Sequence, residues 1–237
     1  MCFSFNASTF MFILGNVTAI YSYYNINYKI AFSLFYFSIM QLLHMIGYLT
    51  INKCSNNINQ YTSYLNYIHI CFQPLIWLFG LWGLYEFIGN NNKESLIRIY
   101  YALILCFIAG IFLLLRLFNI PTQKLSLKND NNSCMWCGPP CSFKGKKHIN
   151  FTLPLRKPNY FTPSMFIHAF LFFIVPLFIN KFFALITLIL ALTTFIPVYY
   201  HKIWTSEAAT IWCFTVIMQI ISTIIIALYW KKIKKYI

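Results

Sequence analysis

Histidine, amide and tyrosine side chains recur at helical spacing in two apolar stretches of the chain. They are Gln41, His44 and Tyr48 in the first stretch and Asn66, His69 and Gln73 in the second. Residues spaced by three, four or seven positions share one face of an α-helix. An imidazole can move a proton near neutral pH or bind a metal ion, so these faces are candidates for proton chemistry or ligand binding.

Three further polar residues, in or next to later apolar stretches, extend this pattern: His168, His201 and Glu207. If successive stretches cross a membrane in alternating directions, all the candidates fall in the half that faces the N-terminus. Polar groups at that depth are costly and tend to face one another or a water-filled cavity. We therefore predict a polar cavity open to the N-terminal side. The residues expected to line it are Gln41, His44, His69, Gln73, His168, His201 and Glu207.

The same residues also fit a structural role. Polar side chains in membrane proteins often hydrogen-bond across helices and hold a bundle together. Glu207 has a further structural interpretation, because Thr205 or Ser206 can cap a helix whose first turn favours a negative charge. The sequence leaves the cavity and the interhelical hydrogen bonds as alternatives.

A cysteine motif lies in the longest polar segment of the chain. Its spacing is Cys-x2-Cys-x3-Cys-x6-His, and its members are Cys134, Cys137, Cys141 and His148. Three thiolates and an imidazole could bind zinc. In an oxidising compartment disulfides are favoured instead, with Cys54 or Cys2 as further partners, and free thiols are the third alternative. The redox state of the compartment decides among zinc binding, disulfides and free thiols.

Composition shows which elements must position these residues. Of 237 residues, 59% are hydrophobic and only 9% are charged, whereas a soluble domain carries about 25% charged residues. The chain is therefore expected to be an all-α, polytopic transmembrane helix bundle of about seven spans. The expected spans are 8–24, 29–51, 61–89, 95–118, 161–179, 181–200 and 204–230.

These spans divide the chain into four parts. Transmembrane helices 1–4 occupy residues 1–118, a cysteine-containing extramembrane loop follows at 119–160, transmembrane helices 5–7 occupy 161–230, and a basic tail covers 231–237. Pro74 lies inside the third span, where a proline kinks a helix and frees a carbonyl that neighbours must satisfy.

The net charge of +14, from 18 basic and four acidic residues, identifies the expected partners. Lys and Arg flank membrane spans and meet anionic lipid headgroups. No basic stripe interleaved with aromatics lies outside the apolar spans, so we expect a lipid bilayer as partner and no nucleic acid.

Seven spans would place two basic regions of the chain on opposite sides of the membrane. The orientation of the protein depends on which of these regions is cytosolic. The loop, with the flanking Arg116, holds eight Lys or Arg residues, and the tail holds four. Charges close to a span end weigh most, so the tail favours a cytosolic C-terminus. Lys234-Lys235-Tyr236-Ile237 has the form of a dilysine retrieval signal, and the loop holds N-glycosylation patterns at Asn131 and Asn150. We expect an endoplasmic reticulum, other endomembrane or viral envelope location.

Several short motifs resemble a known but uncharacterised family of multi-pass membrane proteins. They are Met1-Cys2-Phe3-Ser4 followed by Ala7-Ser8, Gln41-Leu-Leu-His44, His69-Ile-Cys-Phe-Gln73-Pro74 and Glu207-Ala-Ala-Thr-Ile-Trp212-Cys213. Members of that family begin Met-Cys-Trp/Phe-Ser and occur in large DNA viruses, protists and some bacteria. The resemblance implies a fold and no activity. With a composition rich in residues encoded by AT-rich codons, it favours a giant virus as the source.

We therefore favour a non-enzymatic membrane protein, namely a carrier, a receptor-like module or an envelope or endomembrane component with a one-sided polar cavity. No catalytic residue is assigned and no cofactor is expected. The alternative is an intramembrane metal-dependent lipid hydrolase of the ceramidase and adiponectin-receptor kind, which holds zinc with three His, an Asp and a Ser. This chain lacks their paired His in the last span, and its only Asp, Asp130, lies in the loop.

Overall fold

The computed structural model describes residues 4–89, 93–118, 136–145, 148–156, 166–178 and 206–234, together with 185–186, 188–189 and 192. The described chain is mainly helical. Its helices are α1 Phe5–Asn25, α2 Tyr28–Leu49, α3 Asn57–Phe87, α4 Lys93–Leu114, α5 Phe166–Phe173 and α6 Ser206–Lys234, and short 3-10 helices occupy Leu115–Leu117 and Val175–Phe178.

Four helical segments in the described part are long and apolar enough to cross a membrane. They are Tyr28–Leu49, Asn57–Phe87, Lys93–Leu117 and Thr215–Lys232. The count of about seven spans is therefore not supported. The helix α1 is less apolar than these four because it carries many Asn, Ser, Thr and Tyr residues.

The fifth and sixth predicted spans account for the rest of the difference between the predicted and the observed number of spans. Among the described residues of the fifth, eight form the α-helix α5, and a 3-10 helix containing Pro176 follows, because proline cannot donate the next helical hydrogen bond. Almost all of the sixth predicted span, 181–200, lies outside the described residues.

Asparagine side chains begin two of the long helices. The Asn27 carboxamide accepts from the Lys29 N–H at the start of α2, and the Asn56 carboxamide accepts from Ile58 N–H at the start of α3. Asn at this position satisfies backbone donors that have no partner within the helix. Because short connections join α1 to α2 and α2 to α3, neighbouring helices run antiparallel and pack along their lengths.

Small residues bring α2 and α3 into close contact. A Cβ atom added to Gly80 would lie 2.9 Å from the Ser33 Cβ, so a larger side chain there would push the helices apart. The helix α6 packs on α2 and α1, and α5 packs on α3 and α4. The core of this bundle contains Leu34, Phe37, Met40, Tyr67 and Ile217.

One end of the α2–α3 pair is joined by an ion pair. The Lys29 ammonium lies 2.6 Å from both oxygens of the Glu86 carboxylate, and Asn27 donates to the same carboxylate at 3.1 Å. Lys29 also lies 3.8 Å from the centroid of the Trp82 ring. Lys29 is only 5% exposed, so these contacts compensate a charge that burial would otherwise destabilise.

The opposite end of the bundle is covered by a β-hairpin from the segment predicted to be an extramembrane loop. The strands are β1 Cys141–Lys144 and β2 Ile149–Thr152, antiparallel, with Cys141 opposite Thr152 and Lys144 opposite Ile149. β1 contacts α3, and β2 contacts α2 and α6. The described part of this segment is thus folded onto the helices.

Arginine–carbonyl hydrogen bonds join the end of α4 to the segment after the hairpin. Arg116 donates through Nε to the Arg156 carbonyl at 2.9 Å, and the Arg156 N–H donates to the Arg116 carbonyl at 3.0 Å. The Arg156 side chain donates in turn to the Phe118 carbonyl at 2.8 Å. Both arginines are buried, so this contact closes the covered end on the α4 side.

Candidate functional site

His44 lies on α2 beneath the hairpin and is fully buried, with 0% of its surface exposed. Neither of its ring nitrogens has a hydrogen-bond partner among the described residues. Buried polar groups in folded proteins are nearly always hydrogen-bonded, and one that is not calls for an explanation. His44 is therefore the starting point of the candidate site.

The hairpin places a second imidazole against His44. The His148 and His44 ring centroids are 4.9 Å apart, with the ring planes at 85°. Tyr48, one turn beyond His44 on α2, lies with its hydroxyl 2.8 Å from His148 Nδ1. Burial lowers the pKa of His148 well below its ordinary value, and the neighbouring His44 lowers it further. This imidazole is therefore neutral at physiological pH.

A glycine allows the hairpin to approach α2 this closely. A Cβ atom added to Gly47 would lie 2.6 Å from the Cδ1 atom of Ile149, which directly follows His148. The backbone of His148 is held by a hydrogen bond from the Gly145 N–H to its carbonyl at 2.8 Å. Gly47 and this turn together determine where the His148 ring lies.

Two carboxamide oxygens on the same two helices are also buried without a partner. Gln41 Oε1 and Asn66 Oδ1 are buried and have no hydrogen-bond partner in the described part of the chain. Gln41 is one turn before His44 on α2, and its amide nitrogen donates to the Cys213 carbonyl of α6 at 3.0 Å. On the antiparallel α3, Tyr36 of α2 faces His69 and Gly47 faces Thr62, so Asn66 lies opposite the turn that carries His44.

His69 and Gln73 belong to a second cluster in which the polar atoms are paired. His69 Nε2 lies 2.7 Å from the Tyr36 carbonyl, which can only accept, so Nε2 carries the proton. The Gln73 amide nitrogen then donates to His69 Nδ1 at 3.3 Å and to Cys213 Sγ at 3.4 Å. The Tyr36 and His69 rings stack with centroids 4.0 Å apart. This cluster links α2, α3 and α6 by interhelical contacts.

His168 on α5 is hydrogen-bonded to the backbone of Ile70. Pro74 lies inside α3 and has no N–H, so the Ile70 carbonyl, four residues earlier, has no helical donor. The His168 imidazole, on a neighbouring helix, lies where it can donate to that carbonyl. The contact is of the kind predicted for a carbonyl freed by Pro74.

For two of the predicted lining residues, the structure describes no side chain. His201 lies outside the described residues, and the side chain of Glu207 is likewise not described. Glu207 is the second residue of α6, a place where the helix dipole favours a carboxylate.

The structure shows the bonding state of two of the three cysteines in the loop motif. Cys141 forms a disulfide with Cys54, 87 positions earlier, with the Cα atoms 4.8 Å apart. Cys137 is also disulfide-bonded, and Cys134 lies outside the described residues. Because a disulfide sulfur is not a thiolate, Cys141 offers no zinc ligand in this structure. His148 is positioned toward His44 instead.

Of the seven residues predicted to line one cavity, the structure places Gln41 and His44 one turn apart on α2 and pairs His69 with Gln73 on α3. The two glutamines both hydrogen-bond Cys213 of α6. An apolar cavity between α2, α3 and α6 contains none of the seven; it is lined by residues such as Ile30, Trp77, Leu81, Ile220 and Ile224. Among the described residues, no three His, Cys, Asp or Glu side chains are grouped so that they could hold a metal ion.

Sequence reasoning did not pair His148 with His44. It grouped His148 with the cysteines, because their spacing was the visible pattern. Asn66 was recognised on the face of His69 but not assigned to the cavity. The hairpin was missed because β-strands of four residues carry little periodic signal.

No curated protein and no solved structure matches the chain. A family model does match, over residues 6–235, and its description is a family of unknown function, DUF5765. Because the match covers nearly the whole chain, this protein belongs to that family of unknown function.

Proposed function

We propose that this protein is a multi-pass integral membrane protein of the carrier or receptor-like kind, which binds a small polar ligand or cation in a closed site beneath the hairpin. The observation that carries the proposal is His44, buried and without a hydrogen-bond partner for either ring nitrogen among the described residues. Leaving such a group unpaired costs about 1–3 kcal/mol. A polar group at membrane depth that stabilises nothing by itself is a candidate for ligand binding.

The surroundings of His44 support a ligand rather than a structural role. His69, Gln73 and the Cys213 thiol are linked to one another, and His168 is bonded to the backbone of α3. The structural alternative, in which interhelical hydrogen bonds hold the bundle together, accounts for those residues. It does not describe His44, whose two ring nitrogens have no partner among the described residues, nor the unpaired carboxamide oxygens of Gln41 and Asn66. Only the amide nitrogen of Gln41 takes part in an interhelical hydrogen bond, to the Cys213 carbonyl.

The hairpin would control access to this site. It covers His44 with the His148 ring, and the Cys54–Cys141 disulfide ties it to the connection between α2 and α3. A ligand from the covered side must pass the hairpin, so we expect the hairpin to shift during binding.

We further propose that the hairpin side is lumenal or extracellular and the C-terminus cytosolic, in an endomembrane or a viral envelope. Disulfides such as Cys54–Cys141 persist in oxidising compartments. The basic residues directly after Trp230 favour the cytosolic side.

Accessibility of position 44 tests the function. The variant His44→Cys, in sealed membranes, is treated from the hairpin side with a membrane-impermeant thiol reagent, and the wild-type protein gives the background of its own cysteines. Met40→Cys is the matched control, because Met40 is also fully buried on α2, one turn away.

A site that opens to ligand should give labelling above background in the His44→Cys variant and none in the Met40→Cys variant. Equal, background-level reactivity of the two variants would show that the region stays closed and would overturn the proposed function. Labelling from the opposite side only would overturn the assignment of the hairpin as its entrance.

A further inference from the structure

We propose that His44 and His148 are ligands of one divalent transition-metal cation of the Zn²⁺ class, with the carboxamide oxygens of Gln41 and Asn66 as the remaining protein donors. This inference rests on the proposed function, because it names the ligand of the same site. The observations behind it are the positions of the two rings, the donor types and the contact with Tyr48.

The distance between the two rings suits a shared ion. Zinc binds imidazole nitrogen at about 2.1 Å, which puts the ion about 3.2 Å from a ring centroid. Two rings at that distance from one ion, with centroids 4.9 Å apart, subtend about 100° at the ion, close to the tetrahedral angle that zinc sites adopt. The centroid separation is therefore of the size that two imidazoles bound to one ion require.

The donor set favours a cation. Each unpaired atom on α2 and α3 carries a lone pair: an imidazole nitrogen of His44, Gln41 Oε1 and Asn66 Oδ1. Neutral imidazole suits zinc, copper, iron and nickel, and a carboxamide oxygen offers a neutral lone pair as a further donor. A site without a carboxylate leaves the ion's charge uncompensated, so its affinity should be moderate, as a carrier or sensor requires.

Tyr48 is assigned as a positioning residue. Metal-bound imidazoles usually have the other ring nitrogen in a hydrogen bond that fixes the ring orientation and tautomer. The Tyr48 hydroxyl lies 2.8 Å from His148 Nδ1. If Nδ1 donates to Tyr48, Nε2 carries the lone pair and is the His148 nitrogen that would bind the ion.

The test is a titration of the full-length, tag-free protein, purified in detergent and stripped of metal, with Zn²⁺ alone, followed by calorimetry. We expect one Zn²⁺ per chain. His44→Gln and His148→Gln should each weaken binding by more than 100-fold, and Tyr48→Phe by about 10–100-fold. His168→Gln is the matched control, because it removes another buried histidine and should leave the affinity unchanged.

The absorption spectrum of the Co²⁺ complex gives a second readout that a structural effect would not produce. A tetrahedral spectrum in the wild type, changed in Tyr48→Phe and unchanged in His168→Gln, supports the site. Absence of stoichiometric Zn²⁺ binding by the wild type, or wild-type affinity in both His44→Gln and His148→Gln, overturns it. Thermal unfolding without metal shows whether each variant is folded. If a histidine variant is not folded, the Zn²⁺ affinity of Tyr48→Phe decides whether the site is supported.

The two proposals fail separately. Labelling of the His44→Cys variant without Zn²⁺ binding by the wild type would retain the ligand site and reject the metal. Stoichiometric Zn²⁺ binding at a position that stays closed in membranes would retain the metal site and reject the carrier or receptor-like function.

Discussion

The carboxamide of Asn59 pairs with the backbone of Ser142 as a neighbouring β-strand would. Asn59 Oδ1 accepts from the Ser142 N–H at 2.7 Å, and Nδ2 donates to the Ser142 carbonyl at 2.8 Å. The same Nδ2 donates to the Thr50 carbonyl at 2.7 Å. One buried side chain of α3 thus joins the hairpin to the end of α2.

Replacing Asn59 should release the hairpin. Asn59→Ala removes three hydrogen bonds and leaves buried backbone groups unpaired, so we expect a loss of about 2–4 kcal/mol in unfolding free energy. Thermal unfolding and limited proteolysis of the hairpin measure it. Asn25→Ala, at an exposed asparagine of α1, should change stability by less than about 0.5 kcal/mol. Equal effects of the two substitutions would contradict the assigned role.

The Cys54–Cys141 disulfide should be detectable and stabilising. Non-reducing peptide mass spectrometry should recover the two cysteines in one cross-linked species. The double variant Cys54→Ser/Cys141→Ser should lose about 4 kcal/mol, the chain-entropy expectation for a connection of 87 positions. Recovery of both residues as free thiols from the natural membrane would refute the pairing and weaken the lumenal assignment.

The Lys29–Glu86 pair should behave as a coupled unit. Glu86→Gln leaves the Lys29 ammonium buried without its carboxylate, and because Glu86 is partly exposed we expect a cost of about 2–3 kcal/mol. The double variant Lys29→Met/Glu86→Gln should recover part of that loss. Chemical or thermal unfolding of the single and double variants measures the coupling, and strictly additive losses would argue against it.

Pro74 and His168 should also be coupled. His168→Phe leaves the Ile70 carbonyl unpaired and should cost about 1–3 kcal/mol. In a Pro74→Ala background the helix supplies its own donor to Ile70, so the same substitution should cost clearly less. A double-mutant cycle on thermal stability tests this. An identical cost in both backgrounds would mean that His168 does something other than replace the missing N–H.

The orientation predicts a protease-protection result. A tag added after Ile237, beyond the basic tail, should be digested when protease is added to the cytosolic face, whereas the hairpin should be protected. The reason is the excess of Lys close to that span end. A protected C-terminal tag would reverse the orientation.

The buried Asn150 revises one expectation from the motifs. Asn150 and Thr152 lie in β2, and both are buried. A glycan on Asn150 has no room in this fold, so the sequence pattern at this position is not a surface acceptor. Asn131 lies outside the described residues.

The sequence by itself determined the features that depend on local composition. Long apolar runs predict α2, α3 and α4 because a helix satisfies its own backbone in lipid, and Asn27 and Asn56 begin helices by bonding residues next to them. The count of seven spans was not supported, because hydropathy treats α1 and the stretch around Pro176 as equivalent to the long apolar helices.

Only the tertiary structure decided which polar residues meet. His148 lies against Tyr48 across 100 positions, and Cys141 pairs with Cys54 across 87. Helical spacing showed that Gln41 and His44 share a face, and that His69 and Gln73 share another. It did not show that both ring nitrogens of His44 would have no partner among the described residues while His69 is paired with Gln73. A contact of this kind depends on how the hairpin fits against Gly47 and on the register of α2 and α3. Both are set by packing between distant segments, which a local pattern does not encode.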